Sequence, residues 1–499
     1  MSKRYNIIII GLGLGALTAA ARLTELGVKN IGIYAIGHGA TQYIAAINFV
    51  LPGNPYGDTW QQYCEDMLHT GYDVGNRKLV EEMARNTLSG YKLLKRWGVS
   101  FANNTDGSTK LRHVSGHTYP RSLCCTTELI GQVIINEIIP RLERAGVEIH
   151  TGCECVRLLV RGKQVHGITI WKADLTLENV YSSVIIAAWG GIGHLFGQST
   201  YPGDIKGNTL AIAAEAGADF VDLEFYDFEP LVVLSPVGAV GEPCPTAMLG
   251  EGAYLRNADS ERFMLGVYPQ GEAGLPKTLI NKQVWKQVAS GKGSEHGGVW
   301  VDLRHINREV LKAYPWFYNR LMENGVDPCE QLVEVGPMPH SRLGGFKVGE
   351  DYQSSVWGLY AVGEACGGIH GAGRCAGNAA SQATLSGLLC AEAITKTPRN
   401  TVTEEFPVIY SKDTAVFAQY VPEAKALGAR VLGIYRNGKD LEAAQSFLEA
   451  QCAKEELQKD EEAYQILLSI LLMVRAASAR KESRGTHMRL DYPETLLMI

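Results

Sequence analysis

Three glycines near the start of the chain carry the first chemistry. Gly11, Gly13 and Gly15 follow the apolar run Ile7–Ile10, and Ala16, Ala19 and Ala20 come directly after. The order reads strand, tight turn, helix. Such a turn lets backbone N–H groups approach a pyrophosphate at the helix N-terminus, where unpaired donors and the helix dipole favour an anion. In the G-x-G-x-x-G template the third position is Ala16, small enough for close helix–strand packing. The expected chemistry is dinucleotide binding. One part of the template is absent. The second strand, Ile31–Tyr34, should end in an acid for the adenosine ribose, yet Ala35 follows it. Backbone groups or water are expected to serve there.

Composition bounds what surrounds this turn. At 499 residues the chain is long enough for two or three domains with a large core. Hydrophobic residues make up 46% and charged residues 20%, an ordinary globular balance. A net charge of −6 argues against nucleic acid as the main partner. No clean apolar stretch of 18 residues is read, so no membrane span is expected. "MSKRYNIIIIG" runs straight into a strand without the apolar core of a secretory signal. The 11 cysteines are scattered and form no C-x-x-C pair, which argues against metal or iron–sulfur frameworks. They read as mostly buried thiols of a cytoplasmic protein.

Along the chain, residues 1–50 read as β-α-β. "NRKLVEEMARNTLSGYKLLKRWGV", residues 76–99, has the periodicity of one helix ending at a Gly. Residues 127–160 give a helix and then a strand, "VEIHTGCECVRLLV". "SSVIIAAWGGIG" is a buried strand running into a Gly turn. A less regular, Pro- and Gly-containing middle follows, and strand–turn–helix order returns at 358–395. A Pro-containing break near 398–407 leads into a helical segment, 408–480.

Several segments, in this order, resemble the flavoprotein family of succinate dehydrogenase, fumarate reductase and L-aspartate oxidase. They include "GNTLAIAAEAGADFVDLEFYDFEP", "GEGAYLRNADSERFM" and "VWVDLRHI". "GPMPHSRLGG" is similar to the family's "GPxxHYxxGG", and "HGAGRCAGN" to its "HGANRLxxN". "ESRGTHMRLDYPE" closes the series. The resemblance covers nearly the whole chain. It implies an α/β fold with a Rossmann-like FAD-binding domain, an inserted α+β capping domain and a C-terminal helical domain. The expected boundaries are 1–225 and 336–398 for the two parts of the FAD-binding domain, 226–335 for the cap and 399–499 for the helical domain.

By the same resemblance, the turn Gly11, Gly13, Gly15 and Ala16 meets the pyrophosphate of FAD. "GHGATQY", with Ala40 and Thr41, matches the segment that wraps the isoalloxazine. Gly190 and Gly191 lie in the Gly turn of the FAD-binding domain. Glu364, in "AVGEA", matches the acid that binds the ribityl chain, and Asn378 the helix N-terminus near the flavin. Members with covalent flavin attach it through a His where this chain has Ala40, so the FAD is expected to be non-covalent. His38 is the only nearby alternative.

The resemblance also implies a substrate site that this chain keeps only in part. His340 and Arg374 match the carboxylate-binding His and Arg. A planar guanidinium with a second donor suits one carboxylate. Elsewhere the chain departs. Glu229 stands where the family's "HPT" has its His, and Leu231 where it has its Thr. Pro245 and Thr246 replace a Thr–Glu pair, and Val114 the Glu that contacts an amino group in aspartate oxidases. Lys277, followed by Thr278, replaces the proton-transferring Arg of "PRD". Fumarate, succinate and L-aspartate are therefore poor expectations. An ammonium is a feasible acid, more so when partly buried, so Lys277 is the expected proton donor. Glu229 and Lys277 are expected to face each other.

The expected activity is hydride transfer between flavin N5 and a carboxylate-bearing organic substrate. The alternatives are an electron-transferring subunit of a redox complex and a flavin subunit like that of adenylylsulfate reductase. With no second G-x-G-x-x-G and no cysteine cluster, a separate electron donor or acceptor protein is expected.

Overall fold

The apolar run Ile7–Ile10 is the middle strand of a five-stranded sheet, ordered Leu359–Ala361, Ile185–Ala187, Ile7–Ile10, Ile31–Tyr34, Glu148–His150. All four pairings are parallel. Strands covered on both faces read as unbroken apolar runs, and all four residues of Ile7–Ile10 are buried. The computed structural model describes residues 3–126, 129–397 and 402–496. The chain divides into two compact units. The first comprises residues 1–195, 201–226 and 341–499, and the second 196–200 and 227–340.

In the first unit, helix Leu14–Glu25 follows the glycine turn and packs on helix Asn378–Ile394. The approach is close enough that a Cβ on Gly387 would lie 2.3 Å from Thr18 Oγ1 and 2.5 Å from the Gly15 carbonyl oxygen. Further along, Arg22 reaches Glu392, so the two helices run in the same direction. A three-stranded antiparallel sheet, Cys153–Arg161, Gln164–Lys172 and Leu177–Tyr181, belongs to the same unit. So do the C-terminal helices Thr414–Val431, Gly438–Cys452 and Glu461–Ala479, each opened by a side-chain cap from Asp413, Asn437 or Asp460.

The second unit is built on a four-stranded sheet ordered Tyr226–Ser235, Val333–Arg342, Val299–Asp302, Tyr254–Arg256. Leu231, Val233, Val299, Val301, Val335 and Phe317 form the heart of its own core. Helix Lys277–Ala289 is tied to the first of these strands by Asn281, whose Nδ2 donates to the Phe228 carbonyl at 3.0 Å.

Two expectations change. The helix read over 76–99 is two helices, Arg77–Arg85 and Thr87–Arg96. Asn86 separates them, because its side-chain amide donates back to the Glu82 carbonyl and competes with the helical ladder. The strand read across 147–160 is also two, Glu148–His150 and Cys153–Arg161, in different sheets. Gly152, at φ +66°, makes the turn between them. Glu461–Ala479 is long and apolar enough to cross a membrane by length and composition, and 61% of that stretch is buried. Its Gln465 donates to the Val156 carbonyl, and its Ser469 accepts from the Ala211 N–H, as suits a helix of the core. Of the break read near 398–407, residues 398–401 lie outside the described residues.

The helix contact at Gly387 gives a direct test. Gly387→Val places a branched side chain against the backbone of Gly15, which cannot yield without moving the glycine turn. Overpacking of this kind costs about 1–3 kcal/mol. A clear fall in melting temperature is expected, and an unchanged one would show that the two helices do not depend on this contact.

Candidate functional site

Gly11 has φ +104°, and a Cβ there would meet the Ala188 carbonyl oxygen at 2.3 Å. No other residue fits that turn. Helix Leu14–Glu25 then begins on Gly13, without a side-chain cap and without an acid in its first turn. Thr41 Oγ1 takes the first free donor, the Leu14 N–H, at 2.8 Å. Thr41 thus supports the turn, and a Cβ on Gly13 would press on its hydroxyl at 3.2 Å. Ala40 lies beside it in the 3₁₀ turn Gly39–Tyr43, which His38 precedes. Gly15 lies where a Cβ would reach Val362 at 3.2 Å, and Ala16 is fully buried. At the end of the second strand Ala35 offers little to a ribose. Its N–H donates to the His150 carbonyl, and its carbonyl accepts from Cys153.

Helix Asn378–Ile394 opens in the same way, on Gly377 at φ +78°, again with no side-chain cap and no acid in the first turn. Asn378 is fully buried. Its Oδ1 accepts from Asn48 Nδ2 at 2.6 Å and from the Tyr63 hydroxyl at 2.8 Å. Its own Nδ2 has no partner. A buried, fixed amide donor without an acceptor is costly, and it is an observation that calls for a bound group. Asn48 is held in turn by His117, whose ring stands beside Arg121. Arg121 is fully enclosed, and it grips Asp58 through two hydrogen bonds and Asp66 through a third. Burial, with the Arg121 charge beside it, pushes the His117 imidazole down to about 4, so it stays neutral at neutral pH. Sequence reasoning missed this network, because Asp58 and Asp66 lie more than 50 residues from Arg121, and Asn378 lies 330 from Asn48.

Glu364 has its carboxylate set by the protein. Oε1 accepts from the backbone N–H of Arg342 and Oε2 from the hydroxyl of Tyr201, both at 2.7 Å. Gly191 is packed so tightly on it that a Cβ would fall 1.8 Å from Oε1. Gly190, at φ +77°, turns the chain just before that contact. The structure therefore joins Gly191 to Glu364, and Gly13 to Thr41. Arg374 lies in the loop that leads into helix Asn378–Ile394.

The second unit holds the remaining residues. Lys277 is the first residue of its helix, and its Nζ donates to Glu229 Oε2. The Glu229 side chain is only 9% exposed, so the pair is largely removed from water. His340 Nδ1 shares a hydrogen bond with Thr200 Oγ1 at 2.7 Å, which fixes the ring. Leu231 is in the core of this unit.

Two uncapped helix N-termini of 12 and 17 residues, a turn that admits only glycine and a buried amide without an acceptor suit an anionic dinucleotide carrying a planar, acceptor-rich ring. The class so defined is the FAD-binding flavoproteins. Residues 6–380 match the family model described as FAD binding domain, and residues 449–496 that of the fumarate reductase flavoprotein C-term. Over 528 residues the chain is 26% identical to one of the subunits of the fumarate reductase (CoM/CoB) from Methanothermobacter marburgensis, covering 98% of this chain and 95% of that protein. It is 28% identical over 502 residues to the L-aspartate oxidase of Caulobacter vibrioides, covering 98% and 93%. The solved structure of E. coli quinol fumarate reductase FrdA superposes with a TM-score of 0.85 at 20% identity, over 99% of this chain and 93% of that one. The chain belongs to the family of succinate dehydrogenase, fumarate reductase and L-aspartate oxidase flavoproteins, and it is an FAD-dependent oxidoreductase. Its architecture is the FAD-binding domain, capping domain and C-terminal helical domain of that family.

Gly13→Val should empty the FAD site. The side chain enters the space in front of the helix N-terminus and also displaces Thr41 from Leu14. The purified variant is expected to lack the yellow flavin absorbance, and full FAD occupancy would contradict this placement of the pyrophosphate.

Proposed function

We propose that the protein catalyses hydride transfer to or from the carbon skeleton of a carboxylate-bearing organic compound other than fumarate, succinate or L-aspartate. The observation that carries this reading is the ion pair of Lys277 with Glu229, at positions where the resembling family has an Arg and a His. FAD, when bound, accepts or supplies the hydride. The chain's own residues do the rest. Arg374 carries a planar fork suited to a carboxylate, and His340, oriented by Thr200, offers a donor of its own. Lys277 holds at Nζ the proton that a reduced carbon needs. Glu229 fixes that ammonium at the head of a helix, where the dipole alone would disfavour a cation.

Ala40, in place of the attachment His, supports a non-covalent FAD, which should leave the polypeptide on acid precipitation. Flavin retained by the precipitate would sink that part of the reading. The methanogen relative is named as one subunit of its enzyme, which supports an electron partner on another chain. Retention of His340 and Arg374 favours a working substrate site over a bare electron-carrying role.

Two variants test the roles. Lys277→Met should leave FAD bound and lower turnover about 10²–10⁴-fold, the usual worth of a positioned acid. Arg374→Lys keeps the charge and loses the fork, so it should chiefly weaken substrate binding. Stopped-flow reoxidation of the reduced flavin over a range of acceptor concentrations separates the two. Wild-type reoxidation by Lys277→Met would leave Lys277 a salt-bridge partner and favour the electron carrier. Fumarate and L-aspartate should reoxidise or reduce the flavin orders of magnitude more slowly than the true substrate, since each lost charge-assisted hydrogen bond is worth about 1.5–3 kcal/mol. Efficient fumarate reduction would defeat the substrate assignment.

A further inference from the structure

Arg342 belongs to the first unit and is 2% exposed. Its Nε donates to the Gly344 carbonyl at 3.0 Å, and its Nη2 makes a long contact, 3.5 Å, with the Glu364 carbonyl. Its Nη1 is enclosed and has no hydrogen-bond partner. A buried guanidinium is tolerable when carboxylates grip it, as Asp58 and Asp66 grip Arg121. Arg436, also enclosed with one unpaired nitrogen, lies over the ring of Tyr226 at 5.5 Å. Arg342 accepts neither solution. Its hydrogen bonds go to carbonyls, and the Glu364 carboxylate, although near enough to favour its charge, takes the backbone N–H of Arg342 instead. Burial pushes the guanidinium down to about 10, so it remains charged at neutral pH.

The surroundings are rigid. Tyr201 joins Ser341 Oγ at 2.6 Å to Glu364 Oε2 at 2.7 Å, and Gly191 leaves no room behind the carboxylate. The spare N–H₂ is thus fixed beside the acid that the family resemblance gives to the ribityl chain. In "GPxxHYxxGG" the Arg342 position is one of the open ones, so the resemblance assigns it nothing. We propose that Arg342 is an FAD-contacting residue: Nη1 donates to an acceptor on the ribityl–flavin part of the cofactor, and the fixed charge favours the reduced flavin. The physical reason is that two-electron reduction leaves negative charge on the flavin pyrimidine, which a desolvated cation stabilises more than it does the neutral oxidised ring. The proposal rests on FAD binding alone and holds for any substrate.

The holoproteins Arg342→Gln and Arg342→Lys test it by two readouts other than turnover. These are the two-electron midpoint potential of the bound flavin, measured against reference dyes, and the rate of FAD loss on dilution. Arg342→Gln should bind reduced flavin about tenfold less favourably relative to oxidised, a potential about 30 mV lower, and should lose FAD several-fold faster. Arg342→Lys should keep most of the potential and still lose FAD faster, because the charge stays and the fork goes. A merely structural arginine would lower the melting temperature and leave the potential of the remaining flavin unchanged. That result in Arg342→Gln overturns the proposal. Should Arg342→Gln fail to fold, Arg342→Lys decides: faster FAD loss supports the proposal, and wild-type potential with wild-type FAD loss overturns it.

Discussion

The contact between helices Leu14–Glu25 and Asn378–Ile394 is the constraint on which the cofactor unit depends. Their backbones meet where Gly387 faces the Gly15 carbonyl and the Thr18 hydroxyl, with no room for a side chain at 387. The helices run the same way, so their N-termini point in one direction. Each begins on a glycine that offers no cap and keeps acids out of its first turn. Apart from the Leu14 N–H, which Thr41 holds, the free N–H groups are left for a ligand, and the field of both dipoles favours an anion. A larger residue at 387 would separate the helices and shift the glycine turn with them. The close packing and the binding chemistry are one arrangement.

Around that contact the unit buries several charges and handles each differently. Arg121 is neutralised by two aspartates and serves as a rigid post for His117, Asn48 and finally Asn378. Replacing such a post by an apolar group would be feasible only if both aspartates went with it, since a lone buried charge is worse than a pair. Glu364 accepts from the Tyr201 hydroxyl and from the Arg342 backbone N–H, which help to set its carboxylate. Arg342 retains an unpaired donor beside a carboxylate that accepts from Tyr201 and from the Arg342 backbone. In a unit that grips Arg121 with two carboxylates, that contrast marks the place where a ligand completes the structure.

Much of this was legible in the sequence, and the limits have physical causes. The strand–turn–helix at the N-terminus and the segment 358–395 are local patterns, each set by apolar runs and glycines a few residues apart. The single helix read over 76–99 failed because periodicity does not register the competition of the Asn86 side chain for a backbone carbonyl. The strand read across 147–160 failed at Gly152, whose left-handed conformation an apolar count cannot see. In the site, residues inside motifs could be named. The Arg121 network could not, because Asp58, Asp66 and Asn378 come together only on folding. Arg342 was invisible for another reason: a buried arginine and a surface arginine are the same letter.

Glu229 and Lys277 form an ion pair within one unit. Lys277 occupies the first turn of helix Lys277–Ala289, where an anion would be stabilised and a cation is not. Glu229 supplies the anion from the neighbouring strand, where it pairs with the ammonium. The helix itself is held by Asn281 on the Phe228 carbonyl, one residue from Glu229. Exchanging either charge alone would leave the other desolvated: a lone Lys277 opposed by the dipole, or a lone Glu229 that is nearly enclosed. The two positions are therefore bound to change together.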